Sequence, residues 1–128
     1  MKKQNVLVVD DEQGFRDMLT FLLEPVGFEV DCVVNGQEAV DKVAEREYAV
    51  IIMDVHMPIL TGPEALKKIK TLRPSQKVIM LSSSSDPAHA LESQAEAHGI
   101  IACLYKPVEL NDLQTALKKA LGAFPGSL

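Results

Sequence analysis

The sequence predicts an α/β protein built on a doubly wound, five-stranded parallel sheet with helices on both faces. Three observations lead there. Four runs of aliphatic and β-branched residues, 6–9, 49–53, 78–81 and 100–105, show no polar alternation, and such runs are strands buried on both faces. Segments with helical periodicity separate them. Each run also stops at a polar group, respectively Asp10-Asp11, Asp54, Ser82 and Lys106. Parallel strands end on one edge, where open α/β sheets place their ligands.

The elements follow in order. After the first strand, Phe15, Met18, Leu19, Leu22 and Leu23 keep the helical period, and Pro25 with Gly27 ends the first helix. Phe28, Val30 and Cys32 alternate with Glu29 and Asp31, the pattern of a strand wetted on one face and hence of a sheet edge. Asn35 caps a second helix that runs to Arg46 on a thin stripe of Ala39, Val40, Val43 and Ala44. Beyond the third strand, Pro58 and Gly62 bracket a loop. Pro63 then starts a third helix with Leu66 and Ile69 inward, closed by Arg73-Pro74. The fourth strand runs out in the serines at 82–85, and Pro87 opens a fourth helix reaching about His98-Gly99. Leu91 is its one large aliphatic residue, so this helix is expected to be weakly held and mobile. The fifth strand meets Lys106-Pro107, and Leu110, Leu113, Leu117 and Leu121 mark the inward face of a fifth helix ended by Gly122. No internal repeat is present. Five βα units joined by right-handed crossovers give the strand order 2-1-3-4-5, the flavodoxin-like arrangement. Strands one and three are then neighbours, and Asp10, Asp11 and Asp54 converge between them.

The 128 residues suffice for one domain, expected over 1–122 with a short tail at 123–128. A composition 47% apolar with a formal net charge of -5 speaks for a soluble globular chain and against a nucleic-acid-binding surface. Lys67, Lys68, Lys70 and Arg73 cluster locally, as a solvated helix face does. Cys32 and Cys103 lack metal-ligand spacing, which points to a reduced cytoplasmic setting. The opening Met1-Lys2-Lys3-Gln4 leads straight into the first strand, leaving no room for a secretory leader, and no apolar stretch is long enough for a bilayer. A cytoplasmic location without a membrane partner is the expectation.

Three carboxylates gathered at one rim raise one another's pKa, and a cation relieves them. Few, hard oxygen ligands on a rigid frame favour Mg²⁺, with Mn²⁺ as a substitute. One carboxylate can then act as a nucleophile towards phosphorus, giving an aspartyl phosphate whose charge the metal and an ammonium offset. Lys106 supplies the ammonium and Ser82 a hydroxyl donor. His56, His89, His98, Cys32 and the methionines read as surface or core filling.

The pieces resemble the receiver domain of two-component response regulators over nearly the whole chain, from Asn5 to about Leu121. The acidic pair lies in Val8-Val9-Asp10-Asp11-Glu12, the phosphoacceptor segment is Ile52-Met53-Asp54-Val55-His56-Met57-Pro58, and Leu104-Tyr105-Lys106-Pro107 matches the active-site lysine and its proline. The resemblance implies that Asp54 is phosphorylated by a phosphohistidine on a sensor histidine kinase or histidine phosphotransfer protein. It implies Mg²⁺ held directly by Asp11 and Asp54, through water by Asp10, and by the backbone carbonyl of His56. Lys106 would contact the phosphoryl oxygen across a cis bond to Pro107, and Ser82 would swing inward to report phosphorylation. His56 and Ser84 occupy the two positions that tune loss of the phosphoryl group. A downstream protein, or a second copy in a dimer, would read the face of helix four, strand five and helix five. Such a domain catalyses only its own phosphorylation and dephosphorylation.

In two places the sequence departs from the family pattern, the lesser being Ser82 in place of the commoner threonine, which keeps the donor. Cys103 stands where the family usually has an aromatic residue that rotates with the hydroxyl. Either Tyr105, on the same side of the strand by alternation, takes over the reporting role, or the loop and helix four move alone. The alternative function is a constitutive, receiver-like interaction module without phosphotransfer. A haloacid-dehalogenase-type phosphatase would need an aspartate where His56 stands, and a dinucleotide site would need glycines where Asp10-Asp11-Glu12 stand. With no DNA-binding domain after the fifth helix, a stand-alone receiver is expected, or the front of a longer regulator.

Overall fold

The structure, a computed structural model, describes residues 4–57, 59–83 and 99–122. Five parallel strands, β1 (Gln4–Val9), β2 (Phe28–Val33), β3 (Val50–Asp54), β4 (Val78–Ser83) and β5 (Ile100–Lys106), pair in the order β2-β1-β3-β4-β5. Helices α1 (Gln13–Leu23), α2 (Gly36–Glu45), α3 (Gly62–Leu72) and α4 (Leu110–Leu121) are distributed over the two faces. The predicted sheet and its order are present. The helix expected over 87–98, its mobility, Ser84 and the tail at 123–128 lie outside the described residues.

The central strands are apolar throughout because both their faces are covered. Leu7, Val9, Ile51, Met53 and Met80 face α2 and α3, while Val6, Val8, Ile52, Ile79 and Leu81 face α1 and α4. All ten are buried, none more than 1% exposed. At about 25 cal/mol per Å² of apolar surface, these two layers supply the main driving force for folding.

Local signals set the helix ends. Asn35 accepts a hydrogen bond from the Glu38 amide at 2.8 Å and so caps α2. Thr61 and Glu64 form a reciprocal capping box at the start of α3, so Gly62 is the first helical residue rather than the end of the loop. Helix α1 gives way to a single 3₁₀ turn at Glu24–Val26, and Gly27 reverses the chain at φ 106°, a conformation glycine adopts without a Cβ penalty. Far from the polar rim, Tyr48 donates to Asp31 at 2.7 Å and Arg46 bridges Glu29 and Asp31, tying the β2 edge to the turn before β3.

One packing expectation is corrected, and β5 departs from regular pairing. Leu110 is 41% exposed and Leu121 only partly buried, because α4 turns Leu113, Ala116, Leu117 and Ala120 to the sheet. The two alanines allow close approach and swing Leu110 onto the flank. In β5 the pairing slips between Val78 and Ile79, so that Ile100 and Ala102 oppose adjacent residues of β4. The extra residue, Ile101, is a bulge that puts Ile101 and Ala102 on one face and returns Cys103 to the other.

Gly62 links this packing to the rim. A Cβ there would stand 2.5 Å from the Asp54 carbonyl oxygen, 2.8 Å from Met80 Cε and 2.9 Å from Val55 Cα, while the Gly62 amide donates to Val55 at 2.9 Å. Backbone cannot yield as a flexible side chain does. Gly62→Ala is expected to cost about 1–3 kcal/mol, the usual range for overpacking, as a lower urea midpoint at unchanged m-value.

Candidate functional site

The polar rim forms because parallel register brings the strand ends level. β1 and β3 pair Val9 with Met53, so Asp10 and Asp54 are the next residues on adjacent strands. Asp54 is paired with Leu81 and Ser82 with Tyr105, which carries the same edge across to Lys106.

Asp10 is fully buried and fixed from several directions. Its amide donates to Val33 at 3.2 Å, its carbonyl accepts from Arg16 Nη1 at 2.8 Å, and its Oδ1 accepts from the Glu12 amide at 2.9 Å. Oδ2 meets Lys106 Nζ at 2.7 Å as an ion pair whose angle falls outside hydrogen-bonding geometry. That atom is therefore buried with no hydrogen-bond donor. Asp54, 7% exposed, accepts from the His56 amide at 3.1 Å on Oδ1 and from Lys106 Nζ at 3.2 Å on Oδ2. Asp11 and Glu12 stand at the solvent side. One carboxylate oxygen from each of Asp10, Asp11, Glu12 and Asp54 lies within 4.8 Å of the others.

Among the described residues, four carboxylates face the Lys106 ammonium and the Arg16 guanidinium on the Asp10 carbonyl, which leaves the rim short of positive charge. Burial is the largest influence on Asp54 and raises its pKa. The His56 amide and Lys106 pull it down and the Asp10 charge pushes it up, and the balance stays above the ordinary carboxylate value. For Lys106, burial acts to lower the pKa, but Asp10, Glu12 and Asp54 outweigh it and hold the ammonium above its usual range. A buried oxygen without a donor, among exposed carboxylates that can close on an ion, suits a small hard cation.

Of the residues singled out in the sequence, Asp10, Asp11, Asp54 and Lys106 meet directly. Ser82 is buried, 2% exposed, one residue past the partner of Asp54. The His56 side chain is exposed in the loop after β3. The Lys106-Pro107 peptide is cis, as the resemblance implied. Cys103 and Tyr105 are half-buried on β5 and line a shallow depression of about 390 Å³ with Asp112, Thr115 and Lys119 of α4. Sequence reasoning missed Glu12, 3.1 Å from Lys106 Nζ, and Phe15, whose ring centroid lies 4.6 Å from the same nitrogen. Their spacing of three, one face of a helical turn, was the available signal.

Comparison with known proteins agrees with this geometry. The family model of the response regulator receiver domain matches residues 6–118. The transcriptional regulatory protein ZraR of Klebsiella oxytoca is 35% identical over 117 residues, which cover 91% of this chain and 26% of that protein. The chain thus spans about a quarter of the length of the curated relatives of this kind. A response regulator receiver domain protein from Clostridium thermocellum superposes with a TM-score of 0.84 at 31% identity, over 93% of this chain and 94% of that one. The receiver domain of the sensor histidine kinase PA1611 from Pseudomonas aeruginosa, whose active-site cleft holds a coordinated magnesium ion, superposes at 0.81 with 26% identity, over 95% of this chain and all of that one.

A carboxyl whose folded-state pKa lies above its unfolded value favours the fold while protonated, and this contribution is lost as pH rises through the folded pKa. At neutral pH the Asp54 charge therefore opposes folding. Asp54→Asn is expected to raise Tm, because it removes the charge that opposes folding. The gap should narrow when a divalent cation is added, as thermal melts with and without the cation would record.

Proposed function

This chain belongs to the response regulator receiver domain family, and we propose that it works as a phosphorylation-controlled signalling switch that accepts a phosphoryl group on Asp54 with Mg²⁺ bound. The observation that carries the reading is the meeting of four carboxylates within 4.8 Å, with Lys106 Nζ 3.2 Å from Asp54 Oδ2. Charge crowding of this kind is relieved by a hard cation and by no neutral ligand. The coordinated magnesium of the Pseudomonas relative supports the choice of ion.

Asp11 and Asp54 would hold the ion directly, Asp10 through water, and the backbone carbonyl of His56 would be the third protein ligand; such a cation would supply charge neutralisation for the transferring phosphoryl group. An Asp54 carboxylate oxygen attacks phosphorus. The bond from phosphorus to the donor breaks, and its electron pair leaves with the donor, the imidazole nitrogen of a sensor histidine kinase or histidine phosphotransfer protein. Lys106 pairs with a phosphoryl oxygen, and the Ser82 hydroxyl donates to another. The product carries about two negative charges. Its hydrogen bond to Ser82 alters the β4–β5 edge, where a downstream protein or a second copy of the domain docks in the cytoplasm. Toward other substrates the domain does no chemistry.

Intact-mass measurement with acetyl phosphate and Mg²⁺ tests this. The wild type is expected to gain one phosphoryl group, and Asp54→Asn or chelated wild type none. An unlabelled wild type under donor excess would return the protein to the alternative of a constitutive interaction module. His56→Ala is expected to change the lifetime of the phosphorylated form with Mg²⁺ affinity nearly untouched. Equal decay rates for the two proteins would remove His56 from that role.

A further inference from the structure

The first turn of α1 makes contacts that the proposed phosphotransfer does not use. Glu12 stands at the N-cap position, yet its side chain makes no capping hydrogen bond. Instead its Oε1 accepts from Lys106 Nζ at 3.1 Å, across 94 residues of sequence. One turn on, the Phe15 ring lies under the same nitrogen, its centroid 4.6 Å away, inside the range in which an ammonium is drawn to an aromatic face. An ammonium has three donors. Here it hydrogen-bonds Glu12 at 3.1 Å and Asp54 at 3.2 Å and ion-pairs with Asp10 at 2.7 Å, with the ring beside them.

We infer that Glu12 and Phe15 form a holding site for the Lys106 ammonium on α1, and that they are positioning residues that set how readily Lys106 turns to the phosphoryl group. The inference rests on the phosphotransfer reading of Asp54. Phosphorylation turns the Asp54 carboxylate into a mixed anhydride and moves the negative charge outward onto the phosphoryl oxygens. Lys106 follows that charge only by loosening another contact. Asp10 is fully buried and its Oδ2 has no hydrogen-bond donor, so its contact is the costly one to give up. Glu12, 68% exposed, is the partner whose contact water replaces most cheaply. The holding site therefore competes with the phosphoryl group for one donor, and weakening it favours transfer.

The test measures initial rates of labelling by acetyl phosphate at saturating Mg²⁺ for the wild type, Glu12→Gln and Phe15→Leu, each also with Lys106→Met. Exposed ion pairs and cation–π contacts are individually weak, so each single variant should be labelled faster by about two- to fivefold. In the Lys106→Met background both gains should vanish, since the two residues act through the ammonium. A gain from Glu12→Gln that persists without Lys106 would overturn the inference, because it would come from the local field. So would single variants labelled no faster than wild type. A second readout needs no phosphate. Proton NMR should find the Lys106 ε-methylene signals moved upfield by the Phe15 ring and back at their ordinary position in Phe15→Leu. Ordinary shifts in the wild type would also overturn the inference, and this readout decides alone if Lys106→Met takes no label. If the wild type takes no label while the Lys106 signals behave as described, phosphotransfer fails and the holding site stands.

Discussion

Charge imbalance at the carboxyl edge of the sheet is the constraint on which the rest of this protein depends. Four carboxylates stand within 4.8 Å of one another, and the fold places them there through backbone register, which side-chain repulsion cannot undo. Lys106 is the counterweight. It leaves β5, two strand positions from β3 and three from β1. With neighbouring strands about 4.8 Å apart, it must span roughly 10 Å or more to meet Asp54 and Asp10. A long, flexible stem makes that reach possible, whereas the shorter acidic side chains could not have crossed the other way. The same stem lets the ammonium change partners without any strand moving.

Holding like charges together requires a frame that does not relax, and the structure supplies it from below. Asp10 is fastened through its amide, its carbonyl and one carboxylate oxygen, so it cannot swing out to water. Asp54 is held by the close approach of Gly62 and Val55 behind it, with the Thr61–Glu64 capping box fixing where α3 begins. The ion pairs of Arg46 at the opposite edge are half-exposed and add little. The two apolar layers do most of the holding, and the rim is strained in charge because the core beneath it is not strained in packing.

How much of this could be read from the residues follows from the same division. Strands β1, β3 and β4 were legible because burial on both faces leaves no alternation, and their polar end residues were legible because the apolar runs stop there. The strand order followed from connection rules, and with it the meeting of Asp10 and Asp54. What escaped depends on detail that composition does not encode. The bulge at Ile101 shifts side-chain phase near the start of β5 with no glycine or proline inside the strand to announce it. The face of α4 is set by Ala116 and Ala120, whose small size matters only once the sheet is beside them. A third acid after Asp10 and Asp11 has the look of ordinary helix-start charge, so Glu12 carries no signal of its own. Phe15 was counted as core, and the structure shows it serving both core and site.

The bulge also bears on the departure at Cys103. Below it, alternation counted back from Lys106 no longer tells which residues share a face, but from Cys103 to Lys106 the phase is regular again. Tyr105 is the register partner of Ser82, and Cys103 that of Met80, two residues deeper in the sheet. Met80 is buried against α2 and α3 among large apolar side chains, so a displacement of Ser82 at the rim reaches Cys103 only through packing that resists it. Tyr105, as the register partner of Ser82, would meet such a displacement directly. It is half-buried and opens onto the depression shared with α4, where a change of ring position alters the surface a partner would meet. The register thus sets Tyr105, and not Cys103, directly beside the hydroxyl of Ser82.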